Sequence, residues 1–373
     1  YTLLFHIADL VKRGASMQKS VIAAMSGGVD SSVAAYLLVK EGYKVIGATM
    51  KLFENQDVGI SRDHPCCSLE DIDDARSVAV KIGIPYFVFN FTDSFKEEVI
   101  DRFVKAYESG ATPNPCIDCN RFMKFDKLLR RADELEMDYI ATGHYAKIEH
   151  DAASGRYLLK KAVDLTKDQT YVLAFMTQEQ LKRTIFPLGG LKKTEVREIA
   201  EENGFVNAHK HDSQDICFVR NNDYAGFIEF YTGKRYPEGD FVDKNGNVLG
   251  RHKGIIRYTI GQRKGLGLSL PQPMYVCAKN ADDNTVVLCR KEELIAKDFY
   301  VTDINLIAVD KIDKPMRVMA RTRYNQKEQP AIVEQVGENR LHVEFETPQQ
   351  PAAKGQAAVL YDGDIVVASG IIE

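Results

Sequence analysis

Residues 21–32 read Val-Ile-Ala-Ala-Met-Ser-Gly-Gly-Val-Asp-Ser-Ser. An apolar run of this kind suits a buried strand. It passes directly into a glycine-serine turn, and Val33–Lys40 continues with the spacing of an amphipathic helix. A strand that feeds a helix through such a turn makes an anion site, because the turn N–H groups and the positive end of the helix dipole point at the same place. Gly27 and Gly28 let the backbone come close to a ligand. Ser26, Ser31 and Ser32 add hydroxyl donors, and Asp30 is a candidate Mg²⁺ ligand. No Gly-Lys-Ser/Thr ending follows, so the turn is not a Walker-type phosphate loop. Read alone, it also suits a serine-capped strand-to-helix connection.

From 17 to about 145 the pattern alternates strand and helix. Lys44–Met50, Tyr86–Asn90 and Asp138–Thr142 read as further strands, and Ser68–Ile82 reads as a helix stopped at Gly83. The alternation predicts an α/β fold, a Rossmann-like parallel sheet with helices on both faces. Ligands in such sheets sit at the carboxyl ends of the strands. The opening turn, Met50 and Gly143 all fall there, so one nucleotide can touch all three. Residues 150–220 read as helices and loops, with a charged helix over Leu191–Asn203. Asn245-Gly246 between apolar runs signals a hairpin. Beyond 273, strand-like runs recur at roughly 8–12-residue spacing, which predicts a small antiparallel barrel. The expected division is 17–220 catalytic, 221–285 central and 286–373 barrel. Met17-Gln18-Lys19-Ser20 reads as a start, which makes residues 1–16 an upstream extension outside the fold.

Within 373 residues no apolar run approaches the ~20 residues of a membrane span. The net charge of −4 requires any nucleic-acid contact to come from a local basic patch. Seven cysteines without a secretory signal point to a reducing, cytoplasmic setting, where clustered cysteines serve metals or catalysis rather than disulfides. Residues 112–120 read Thr-Pro-Asn-Pro-Cys-Ile-Asp-Cys-Asn. The two prolines are expected to hold this stretch extended, as a rigid loop on which Cys116 and Cys119 face one point. Cys217, in His211–Phe218, is the third candidate thiol. A lone C-x-x-C suits a redox pair or half a zinc site, and nothing completes a four-ligand zinc set. Three thiolates suit an iron–sulfur cluster with one open iron, or a persulfide relay. Cys277 and Cys289 lie in strand-like runs and read as core.

The Ser26–Ser32 turn resembles the pyrophosphate-binding loop of the ATP-pyrophosphatase superfamily. Its members split ATP into AMP and pyrophosphate to activate an oxygen. A narrower resemblance rests on eight stretches in order: Ser26–Ser32, Thr112–Asn120, Ala141-Thr-Gly-His-Tyr-Ala146, Lys167-Asp-Gln169, Asp212–Phe218, Tyr258-Thr-Ile-Gly-Gln-Arg-Lys-Gly-Leu-Gly267, Arg321-Thr-Arg-Tyr324 and Gly355-Gln-Ala-Ala-Val-Leu360. On these the chain resembles the tRNA-specific 2-thiouridylase family, which replaces oxygen by sulfur at C2 of the wobble uridine.

That resemblance implies ATP contacts at Ala24, Met25, Ser26, Gly27, Gly28, Val29, Asp30, Ser31, Ser32, Met50 and Gly143. Asn114, Pro115 and Cys116 would meet the target base, Cys119 would be the nucleophile facing it, and Cys217 would carry the persulfide. Contacts to tRNA would come from His144, Lys167, Asp168, Gln169, Arg263, Lys264, Arg323, Tyr324 and Gln356. The implied cofactors are ATP and Mg²⁺, and the implied partners are tRNA and a sulfur donor: a cysteine desulfurase, a relay protein or sulfide. One departure matters. The family usually has Asp immediately after Asn-Pro, and here the residue is Cys116. A third thiol makes a 4Fe-4S cluster on Cys116, Cys119 and Cys217 a candidate beside the persulfide relay, and Asp118 a candidate for the displaced carboxylate role. Gly250–Leu268 carries Arg251, Lys253, Arg257, Arg263 and Lys264 and no acid, which suits phosphate contacts. The rival readings are a small-molecule adenylating ligase and a non-catalytic RNA-binding protein.

Overall fold

Strand β1 (Ser20–Ala24) pairs in parallel with β2 (Lys44–Lys51) on one side and β4 (Tyr139–Ala141) on the other. Strands β3 (Tyr86–Asn90) and β7 (Thr184–Ile185) complete a parallel sheet of order β3-β2-β1-β4-β7. Val21 and Ile22 are both fully buried although they point to opposite faces. Burial on both faces is why β1 reads as a continuous apolar run. The computed structural model describes residues 18–59, 67–212 and 216–373. The expected extension at 1–16 and the expected start at Met17 lie outside them. The helix Val29–Lys40 buries Val33, Ala35 and Leu38 against the sheet. Each such Val or Leu contributes about 1.5–3 kcal/mol.

Three features differ from the sequence pattern. First, Ala146–Asp151 (β5) and Arg156–Lys161 (β6) form an antiparallel hairpin where helices and loops were expected, and β6 pairs with the chain's last strand. Second, the runs at 275 and 285 belong to a central sheet, not to the terminal barrel. Gly239–Val242 (β8), Val248–His252 (β9), Tyr275–Asn280 (β10) and Thr285–Cys289 (β11) form it in the order β10-β11-β8-β9. Strand β11 runs to Cys289, so a boundary at 285/286 would cut through it. The Asn245-Gly246 turn does join β8 and β9, with Gly246 at φ +85°. Third, Thr112–Asn120 is extended only at its start. Pro115 opens a helical turn, Pro115–Asp118, which continues as a π-helix over Cys119–Lys127. Proline suits the first position of a helix, because its missing N–H is unpaired there anyway.

The C-terminal strands are β12 (Ala296–Leu306), β13 (Met316–Arg321), β14 (Gln329–Gly337), β15 (Arg340–Gln349), β16 (Ala357–Asp362) and β17 (Ile365–Ile372). They run β12-β15-β14-β13-β16-β17, and pairing of β12 with β17 closes a six-stranded antiparallel barrel. The barrel packs on the catalytic unit through specific bonds. Asn305 donates to the Ala174 and Met176 carbonyls at 2.9 Å, and Tyr171 donates to the Ala357 carbonyl at 2.8 Å. No helix among the described residues is long and apolar enough to cross a membrane.

Candidate active site

The glycine-serine turn follows β1, and its helix begins at Val29. Gly27 has φ +78°, and a Cβ there would lie 2.3 Å from the Asp71 carbonyl oxygen, so glycine is required. Gly28 is extended and has room for a Cβ. Ser31 Oγ accepts from the Ser26 N–H at 3.1 Å and donates to the Gly28 carbonyl at 3.0 Å, which folds the turn on itself. Asn207 Nδ2 donates to the Gly27 carbonyl and to Ser32 Oγ, both at 2.9 Å. Gly143, just beyond β4, abuts the loop: a Cβ there would be 2.7 Å from Ser31 N. Ala24 and Met25 lead into the turn, and the Met25 carbonyl accepts from Thr49 Oγ1 at 2.5 Å. Met50, near the end of β2, is partly buried against the core. The turn and Gly143 therefore meet at one edge of the sheet, and Met50 lies near the carboxyl end of the neighbouring strand.

Asp30 does not present a free carboxylate. Lys193 Nζ lies 2.7 and 2.8 Å from its two oxygens, and Tyr145 OH donates to one of them at 2.8 Å. An Mg²⁺ ligand would need those oxygens, so the residues as arranged do not fit the ion at Asp30. Lys193 also reaches Asp212 at 2.7 Å, as does Lys167 on its other oxygen. Burial acts to raise the Asp212 carboxyl, but bonds from Lys167 and Lys193 outweigh it and hold it at about 2.

The second cluster forms at Cys116, Cys119 and Cys217. Asn114 caps the helical turn, its side chain accepting from the Cys116 N–H at 3.1 Å, and Pro115 is buried behind it. The thiols of Cys119 and Cys116 lie within electrostatic reach of Cys217, so the tertiary fold brings all three together. Burial pushes each thiol up, Cys119 to about 11, and the Lys124 ammonium opposes the shift at all three. Lys124 lies five residues past Cys119 on the π-helix, a spacing that returns it to nearly the same side. No motif drew attention to it. Burial also raises the Asp118 carboxyl to about 6 against the pull of Arg102 at 3.5 Å. Among the described residues no three His, Cys, Asp or Glu side chains are arranged to hold a metal ion. The three cysteines thus do not fit an iron–sulfur ligand set as placed.

The residues expected at tRNA divide into two groups. His144 is buried, packed against Phe125 and Phe186, with Nδ1 2.6 Å from Thr142 Oγ1. Burial holds it neutral, well below the usual histidine range. Asp168 is buried, accepting from Thr170 Oγ1 at 2.7 Å and the Ala162 N–H at 3.2 Å. Gln169 accepts from the Tyr145 N–H at 2.9 Å. In this arrangement these three shape the turn after β4 rather than a surface. Tyr324 is exposed, and its phenol feels the charges of Cys116 and Lys167. Gln356 donates to the Thr112 carbonyl, and Arg323 approaches the Ile260 carbonyl at 3.4 Å. Arg263 and Lys264 are exposed, with no ion-pair partner among the described residues. Arg251 and Arg257 of the same stretch pair with Asp240 and Glu229. Tyr258 packs against Phe241 and His252 rather than facing solvent.

Three family models match the chain in succession: a tRNA methyl transferase HUP domain over 19–221, a tRNA methyl transferase PRC-barrel domain over 225–290, and an aminomethyltransferase beta-barrel domain over 296–372. Whole-chain relatives are equally consistent. The chain is 53% identical to a tRNA-specific 2-thiouridylase MnmA of Clostridioides difficile, over 96% of this chain and 99% of the relative. It is 52% identical to that of Acetivibrio thermocellus, over 95% and 99% of the two chains. A third relative, from Caldanaerobacter subterraneus, is 52% identical over 96% of this chain and 99% of its own. With this identity running through all three structural units, the chain belongs to the tRNA-specific 2-thiouridylase MnmA family.

Proposed function

We propose that the protein is an ATP-dependent sulfurtransferase that thiolates C2 of the wobble uridine of tRNA. The observation that carries this reading is the convergence of Cys116, Cys119 and Cys217 in a fold whose parallel sheet ends in an ATP-pyrophosphatase-like loop. ATP bound at Ser26–Ser32 adenylates O2 of the uracil, and pyrophosphate leaves from the loop. The target base leaves its stack to reach the site. Sulfur carried as a Cys217 persulfide attacks C2. AMP departs with the former O2, and Cys119 attacks the persulfide bond, so that the transferred sulfur stays on the base and the two cysteines end as a disulfide. A thiol reductant then restores the pair. Lys124 favours the thiolate form that this sequence needs, and Asn114 and Pro115 hold the base against Cys116. Tyr324, Gln356 and Arg323 approach from the barrel side, and Arg263 and Lys264 supply phosphate contacts.

The test is mass spectrometry of tRNA nucleosides after reaction with ATP and a sulfide source, in which 2-thiouridine is the expected product. Cys217→Ser should abolish it, and unimpaired thiolation by that variant would sink the sulfur-transfer scheme. A small-molecule adenylating ligase of the same superfamily would instead exchange ATP with pyrophosphate equally well without tRNA.

A further inference from the structure

One group of buried charges has no part in the scheme above. Lys193 belongs to none of the stretches that carried the family resemblance. It is only 8% exposed, yet its ammonium bridges Asp30 and Asp212, with 2.7 Å to each. Lys167 holds the other Asp212 oxygen at 2.7 Å, and Arg197 approaches at 3.3 Å. Three cations share two carboxylates, which leaves one positive charge unmatched within the cluster. Asp30 is the second residue of the helix that the loop feeds, so the excess charge lies at the same helix end whose free N–H groups favour anions. Lys167 is also felt by Tyr324, which in turn feels Cys116, so the cluster reaches from the loop toward the thiols. Burying an ammonium is costly unless it is well paired. A buried cluster with spare positive charge beside a phosphate loop is suited to an anion carrying several charges.

We propose that Lys167 and Lys193, held in place by Asp212, receive the two terminal phosphates of ATP and retain pyrophosphate as it leaves. The proposal rests on the reading of Ser26–Ser32 as the ATP loop, and it moves Lys167 from the tRNA surface to the nucleotide. In the adenylation step, uracil O2 forms its bond to the α-phosphorus. The bond from that phosphorus to the bridging oxygen breaks, and pyrophosphate takes the electron pair. The lysines place positive charge where that negative charge develops.

Inorganic pyrophosphate is the probe, titrated calorimetrically into the full chain in magnesium-free buffer, with AMP, ATP and tRNA titrated in parallel. Lys167→Met is expected to raise the pyrophosphate Kd about ten-fold and leave the AMP and tRNA affinities within about two-fold. Asp212→Asn removes an anion and keeps every cation, so it is expected to tighten pyrophosphate. A purely structural cluster would weaken binding in both variants. Pyrophosphate affinity unchanged in Lys167→Met, or weakened in an Asp212→Asn protein that melts normally, overturns the proposal. If Asp212→Asn fails to fold, Lys167→Met decides alone, since its side chain is 35% exposed. A wild-type protein that binds neither ATP nor pyrophosphate rejects the loop reading and this proposal with it. ATP binding that is retained and indifferent to Lys167→Met rejects this proposal alone.

Discussion

Gln356 donates from Nε2 to the Thr112 carbonyl oxygen at 2.7 Å, joining the barrel to the segment that carries Cys116 and Cys119. Its neighbours reinforce the contact. The Lys354 carbonyl accepts from the Thr112 N–H at 2.8 Å. Gly355, at φ +85°, lies so close that a Cβ would be 2.9 Å from Ala111 Cβ. Three consecutive barrel residues therefore fix where the cysteine helix begins.

Removing the Gln356 side chain tests this clamp. Gln356→Ala should lower unfolding free energy by about 1 kcal/mol, the worth of one such bond. Iodoacetamide should label Cys116 and Cys119 faster, while ATP affinity stays unchanged. Urea denaturation, mapped alkylation and calorimetry check the three parts, and unaltered alkylation would count against the clamp.

The two loop glycines should behave oppositely. Gly27→Ala meets the Asp71 carbonyl at 2.3 Å in a left-handed conformation, whereas Gly28→Ala finds nothing nearer than Ser26 Oγ at 3.6 Å. Gly27→Ala should therefore lower the melting temperature by several degrees and abolish ATP binding; strain at such a position costs on the order of 1–3 kcal/mol. Gly28→Ala should melt normally. Equal melting curves for the two would contradict the geometry.

His144 gives a pH signature. Burial depresses its folded pKa below that of the unfolded chain. The stability from keeping it neutral is present above about pH 6.5 and is lost as pH falls below that, by up to ~1.4 kcal/mol per unit. His144→Phe, placed between Phe125 and Phe186, should remove this part of the acid sensitivity. Urea midpoints at pH 5.5 and 7.5 measure it, and identical pH dependence in the two proteins would refute the assignment.

Lys124 should control thiol reactivity. Its ammonium is felt by all three buried thiols, each already pushed up by desolvation. Lys124→Met should shift the alkylation profile of Cys119 to higher pH, and Lys124→Arg should restore much of it. A profile that does not move in Lys124→Met would remove Lys124 from the sulfur site.

Much of the catalytic sheet is legible along the chain, because β1, its turn and the following helix are local choices of backbone conformation. The hairpin β5–β6 is not. Ile148 and Leu159 alternate with charged neighbours, but the chain reveals nothing of the barrel edge that receives β6. Likewise Thr285–Cys289 reads as one more barrel strand, and only its pairing with Gly239–Val242 and Tyr275–Asn280 assigns it to the central sheet. His144 and Asp168 sit in family motifs, so resemblance marks them as contacts. Burial shows them to be supports.

The sequence by itself determined the phosphate loop, the C-x-x-C on its capped helix and the repeating strands of the barrel. Each depends on φ preference, spacing or period among near neighbours. Only the tertiary structure decided that Cys217 meets Cys116 and Cys119, that Lys193 ties Asp30 to Asp212, and that Gln356 holds Thr112. Those pairs are separated by 98 to 244 residues along the chain, and no local rule specifies which distant side chains a packed core will bring together.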